Sequence, residues 1–167
     1  MKKILLFLIL ASFSFCQKET APVTFNPTLV EFETPAHFPL LDLPQDNPLS
    51  IEGIKLGRKL YYDSLLHPNK IHSCASCHVQ DEGFSSINVN SLPHVNMTWS
   101  TSFLWNGEIE GGLEEAMEFE VHDFFKTDFE QLKQDPYYLT LYEDAFGTPD
   151  INLERTSKEP RKLWLSF

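Results

Sequence analysis

Basic side chains are scarce in this 167-residue chain: 13 Lys and Arg stand against 24 Asp and Glu, a formal net charge of −11. That balance excludes nucleic acid as a partner class, because a phosphate backbone needs a basic surface. It leaves an acidic surface that can steer a basic partner. Cysteine is scarcer still. Three residues, Cys16, Cys74 and Cys77, cannot build a disulfide framework. No apolar run reaches the roughly 20 residues that span a bilayer. No internal repeat is present, which excludes a solenoid or propeller. No segment alternates convincingly with strand period, which argues against a sheet-built fold. What is present suffices for a core. The chain is 42% hydrophobic and 13% aromatic, with 14 Phe, a composition that excludes disorder and allows one modest domain.

Two of the three cysteines fall in Cys74-Ala75-Ser76-Cys77-His78. This C-x-x-C-H spacing is the attachment signature of a c-type haem. The two thiols add to the haem vinyl groups, and the next residue, His78, reaches the iron as proximal ligand. A zinc site would need a second ligand pair, and a thioredoxin-like motif a βαβ context; neither accompanies the motif. The expected cofactor is therefore one covalent haem c.

The third cysteine belongs to the N-terminus. Lys2 and Lys3 precede a short apolar run over residues 4–10 that continues to Phe15, too short to span and shaped as an export signal. Residues 1–16 are expected to be a signal peptide. Cys16 followed by Gln17-Lys18-Glu19 resembles a bacterial lipoprotein cysteine, which would give a lipid anchor through Cys16; plain secretory cleavage is the other reading. Either implies a periplasmic location.

Residues 17–46 form a Pro-rich leader, with Pro22, Pro27, Pro35, Pro39 and Pro44 breaking any long element. It is expected to run extended over the surface and to dock near Phe38-Pro39-Leu40-Leu41. The spacing predicts a helix over 50–62, capped by Ser50 with Glu52 in its first turn. Gly53 and Gly57 in it permit close approach of a neighbour. A short helix is expected at 74–78, loop from 80 to 95, turns at Asn106-Gly107 and Gly111-Gly112, and a helix over 113–119 with Leu113, Ala116 and Met117 on one side. Thr127-Asp128-Phe129-Glu130 reads as a capping box. Asp135-Pro136 opens another helix, striped by Leu139, Tyr142 and Phe146 and ended by Gly147. The expected fold class is all-α, a c-type cytochrome-like haem domain with long loops.

The order of these pieces resembles the bacterial di-haem cytochrome c peroxidases, the MauG-like group. Asn47-Pro48-Leu49-Ser50 is similar to that family's N-P-L-[ST]. Leu56-Gly57-Arg58-Lys59-Leu60-Tyr61-Tyr62-Asp63 is similar to its L-G-R-x-L-[FY]-[FY]-D. Gly83-Phe84-Ser85, Phe103-Leu104-Trp105-Asn106-Gly107 and Leu113-Glu114-Glu115 continue the match, which covers residues 47–155. The resemblance implies the first, peroxidatic haem domain of such a protein. Its substrate would be hydrogen peroxide, and its electrons would come from a small cytochrome or cupredoxin. Residues 156–167 depart from the pattern. Pro160 is expected to break the helix begun at 151–155, and the chain reads as truncated before a second haem domain.

The resemblance also implies site residues. An acid–base pair is expected beyond Trp105-Asn106-Gly107, where Glu114 and Glu115 are the candidates and Glu118 and Glu120 stand nearby; a solvated helix face is the competing reading. Trp105 matches a tryptophan that carries electrons, or packs. His94 is a candidate distal ligand, or a packing position by the same alignment; Met97 could coordinate, or packs in the core; Asn90 is a candidate Ca²⁺ ligand. Arg58 would pair with a haem propionate, or form a surface ion pair. The alternative function is a mono-haem electron-transfer cytochrome without peroxidase activity.

Overall fold

The computed structural model describes residues 25–41 and 43–164, so the expected signal segment and Cys16 lie outside the described residues. Helix α1 spans Ile51–Tyr62 and starts where Ser50 Oγ accepts the Gly53 N–H. α5 spans Pro136–Phe146, with Asp135 accepting from the Tyr137 N–H, proline in its first turn and Gly147 left-handed at φ 76° after its end. These helices and the start of α6 (Leu153–Trp164) enclose the main core: Leu56, Leu60, Leu66, Leu132, Tyr138, Leu141, Tyr142 and Ile151. The buried stripe of α5 is therefore Tyr138, Leu141, Tyr142 and Ala145; Leu139 and Phe146, expected in it, sit at its margin. α4 (Phe129–Lys133) is capped by Asp128, which accepts from the Glu130 and Gln131 N–H groups. The cap is thus one residue later than expected, and the Thr127 hydroxyl is buried with no hydrogen bond.

α6 lies across α1 and α3 (Leu113–Phe119). The two glycines of α1 make the crossing possible. A Cβ on Gly57 would collide with the Glu159 backbone, and one on Gly53 would lie 2.5 Å from Lys162 Cδ. Pro160 sits inside α6 instead of ending it. The interior-proline penalty is about 3 kcal/mol, and the close contact with Gly57 supplies the tertiary packing that outweighs it. The crossing also buries charge. Glu159 pairs with Lys162 at 2.9 Å, both essentially inaccessible. Arg161 Nε lies 3.1 Å from Glu114 Oε1, off the axis of a hydrogen bond, while its Nη2 donates to the Asn47 carbonyl at 3.0 Å.

The fold is helical with one departure from all-α. Ser102–Phe103 (β1) and Ile109–Glu110 (β2) pair antiparallel around the Trp105-Asn106-Gly107 loop. Strands of two residues are too short to show a period in sequence. The described part of the leader holds no helix and turns at 36–38 and 45–47, with Leu29 bridging Ser50 and Thr28 bound to Glu52. Phe38 packs on Trp99 at 4.4 Å between ring centroids, and Trp99 Nε1 donates to the Pro39 carbonyl at 2.9 Å. Leu40, expected to dock, is exposed. No helix of the described residues is long and apolar enough to cross a membrane.

Candidate haem site

The C-x-x-C-H residues occupy α2, Cys74–Cys77. Ser73 opens it: its N–H donates to Ser76 Oγ at 2.9 Å, and the two hydroxyls lie 3.1 Å apart. One turn of chain thus places both thiols and His78 on the wall of a cavity of about 730 Å³, within the range of small-molecule sites.

His78 is held by backbone. Its Nδ1 lies 3.0 Å from the Leu92 carbonyl and 3.2 Å from the Phe84 carbonyl. Two acceptors fix the proton on Nδ1, so Nε2 carries the lone pair a metal needs. Burial lowers the His78 pKa and favours that neutral form. The carbonyl loop is itself tied down, because Ser85 Oγ donates to the Ser91 carbonyl at 2.7 Å and Ser91 Oγ donates to the Cys77 carbonyl. Tyr61 adds a phenol that donates to the His78 carbonyl at 3.2 Å.

A second, helical wall comes from α3 and the π turn that extends it, Glu120–Phe124. Helical spacing puts Ala116, Met117, Glu120 and Phe124 on one face. The i→i+5 bond from Phe125 N to Glu120 O, 2.8 Å, marks the extra residue that brings Phe125 to the same cavity. Glu120 is the one Asp or Glu among the described lining residues, and no Lys or Arg joins it. Burial pushes its carboxyl up to about 7. Cys74 is close enough that burial first, and the Glu120 charge second, push its thiol up to about 12.

The expected residues separate on this frame. Cys74, Cys77, His78, His94, Asn90 and Trp105 all line the cavity. Glu114 and Glu115 do not. Glu114 Oε1 accepts from Asn47 Nδ2 at 2.6 Å and faces Arg161. Glu115 Oε2 accepts the Gly112 N–H at 2.8 Å, completing the cap of α3. Glu120 is the carboxylate in place, and the sequence did carry its signal: it continues the Leu113, Ala116, Met117 face at helical spacing. His94 stacks on His78 with ring centroids 3.3 Å apart and 14° between planes. Rings stacked that closely leave no room for a metal between them. Asn90 is exposed at φ 50°. No group of three or more His, Cys, Asp or Glu placed to hold a metal ion occurs among the described residues. Arg58 is on the exposed face of α1 and outside the described lining. Trp105 is 69% exposed at the cavity rim.

These residues fit a c-type haem: two thiols on one turn, a histidine in the ligating tautomer, and apolar walls from Phe103, Leu104, Met117, Phe124 and Phe125. The cysteine thiols would hold it covalently and His78 would ligate its iron.

Comparison with known proteins agrees. The methylamine utilization protein MauG of Methylorubrum extorquens is 28% identical over 124 residues, covering 64% of this chain and 35% of that protein. MauG of Methylophilus methylotrophus is 26% identical over 150 residues, covering 79% and 44%. A cytochrome-c peroxidase of Denitromonas iodatirespirans is 28% identical over 129 residues, covering 66% and 35%. The chain thus spans less than half the length of these curated relatives. Among solved structures, a MauG-like protein associated with microbial copper homeostasis shares the fold, with a TM-score of 0.67 at 23% identity over 81% of this chain and 46% of that one. Residues 51–159 match the model of the di-haem cytochrome c peroxidases, and the chain belongs to that family.

Proposed function

We propose that this chain is an exported, periplasmic haem domain that reduces hydrogen peroxide to water, drawing electrons from a small cytochrome or cupredoxin. The observation that carries the reading is the pairing, in one cavity, of a backbone-locked His78 with Glu120. When bound, haem c supplies the iron that takes peroxide and the electrons that cleave its O–O bond.

The chain's own residues do the rest. Cys74 and Cys77 anchor the macrocycle, and the Leu92 and Phe84 carbonyls orient His78. The apolar wall around Met117 and Phe125 limits water. Glu120 takes a proton from the peroxide oxygen near the iron and returns it to the outer oxygen, which leaves as water. A carboxyl held near 7 serves both halves of that transfer. Trp105, exposed at the rim, is the entry point for a donor's electrons. A lipid anchor through Cys16 would keep the domain at the membrane surface, and Asn90 would contribute one oxygen ligand to Ca²⁺.

Stopped-flow mixing of the purified haem protein with peroxide tests the reading. A rapid, peroxide-dependent change in the haem spectrum is expected; an unchanged spectrum would sink it. The electron-carrier reading has an observation in its favour: Met97 and Met117 both line the cavity and are competent axial ligands. A low-spin, six-coordinate iron inert to peroxide would select it.

A further inference from the structure

Two consecutive tyrosines close α1, about 100° apart around the helix axis, so that one is buried and the other is exposed while their rings still touch. Tyr61 is 1% exposed, lines the cavity and touches the backbone of His78 through its hydroxyl, 3.2 Å from the carbonyl. Tyr62 is 42% exposed, and its hydroxyl donates to Gln80 Oε1 at 2.6 Å. The rings meet edge to face with centroids 5.1 Å apart. Tyr61 also lies edge-on to Phe84, whose carbonyl holds the His78 ring. The molecule therefore has a continuous phenol pair from the His78 wall to solvent, apart from the Trp105 rim. Phenols are among the few side chains that give up one electron readily, and contact distance between two of them permits rapid transfer.

We propose that Tyr61 and Tyr62 form an electron relay between the cavity and the surface, so that oxidising equivalents produced there by peroxide emerge on Tyr62 when no donor protein is docked. The proposal rests on the peroxide-reducing reading and extends it to the protein's behaviour without a donor. The balance closes. Each Tyr62 sends one electron inward through Tyr61, which ends unchanged, and releases its phenolic proton to water. Each molecule takes up one hydrogen peroxide, which two electrons and two protons convert to two waters. One electron comes from that molecule's Tyr62, and the second would come from its bound haem, which keeps one oxidising equivalent for a later donor. The two neutral Tyr62 phenoxyls, from two molecules, join through a carbon–carbon bond between ring positions ortho to oxygen. Each coupled ring then returns the proton of that carbon to its oxygen, giving dityrosine.

The experiment exposes the haem protein to hydrogen peroxide without donor. It reads phenoxyl by electron paramagnetic resonance and cross-linked peptides by mass spectrometry. Dityrosine at Tyr62 is expected in the wild type. It should be absent in Tyr62→Phe and reduced at least tenfold in Tyr61→Phe, which keeps the buried ring and loses only the hydroxyl. Oxidation mapped to Trp105 with none on Tyr62 would overturn the relay, as would an undiminished Tyr62 yield in Tyr61→Phe. If peroxide leaves the haem spectrum unchanged, the peroxide reading has failed, and the relay is tested by itself with a ruthenium photo-oxidant that removes one electron from the haem. A phenoxyl that then appears on Tyr62 only when Tyr61 retains its hydroxyl supports the relay; its absence overturns it.

Discussion

The two walls of the cavity are built on opposite plans. On the His78 wall the polar groups are bound to backbone within a short loop: Nδ1 to two carbonyls, Ser85 and Ser91 to two more, Tyr61 to another. On the helical wall the lining is apolar apart from Glu120. Its rigidity comes from behind, where α6 buries Arg161 against Glu114 and Asn47. A dense hydrogen-bond net fixes a ligand's direction. An apolar surface with a single carboxylate keeps the energetics of one proton from being diluted.

The sharpest way to break the first wall is to replace both thiols. Cys74→Ser with Cys77→Ser should abolish haem that survives denaturation, read by haem stain of a denaturing gel. The second wall is broken chemically by Glu120→Gln, which should slow the peroxide reaction by about 10²–10⁴-fold in stopped flow. Glu115→Gln should leave that rate near wild type, because Glu115 only caps α3. Removing the support behind the wall is a stability experiment. Arg161→Met leaves Glu114 without its cation and should cost about 3–5 kcal/mol in urea unfolding.

A pH series separates the walls more gently. The Glu120 carboxyl is raised by burial from its ordinary 4.5 to about 7. Between those values the folded protein binds more protons than the unfolded chain, so this group's contribution to stability falls as pH rises from about 4.5 to about 7. Urea midpoints across that window should drop in the wild type and flatten in Glu120→Gln. The smallest effect is expected outside both walls. Arg58→Ala, on the exposed face of α1, should change stability by no more than about 0.5 kcal/mol and leave haem content unaltered.

The His78 wall was legible in the sequence because its chemistry is local. C-x-x-C-H is contiguous, and so are the Ser50 cap of α1 and the Asp135-Pro136 start of α5. The helical wall was legible only in part. Family order pointed to Glu114 and Glu115, yet both are consumed by structure, one by an ion pair with a residue 47 positions later. The position of Glu120 follows from extending the α3 stripe one more turn. The contribution of Phe125 depends on a π turn that has no sequence signature of its own. Pro160 misled for a related reason: its local cost is real, but the contact that offsets it lies with Gly57, about a hundred residues earlier. The β1–β2 hairpin was hidden for the opposite reason: it is local, but its two-residue strands are shorter than any periodic pattern.

The π turn at Glu120–Phe124 also bears on redesign of the pocket. It closes with i→i+5 bonding, one residue more than an α-helical turn needs. Losing that residue would straighten the helix, rotate everything after it by about 100° and carry Phe125 out of the cavity while Glu120 stayed. A one-residue deletion there would reshape the reactive wall and leave the C-x-x-C-H turn, and with it the haem attachment, untouched.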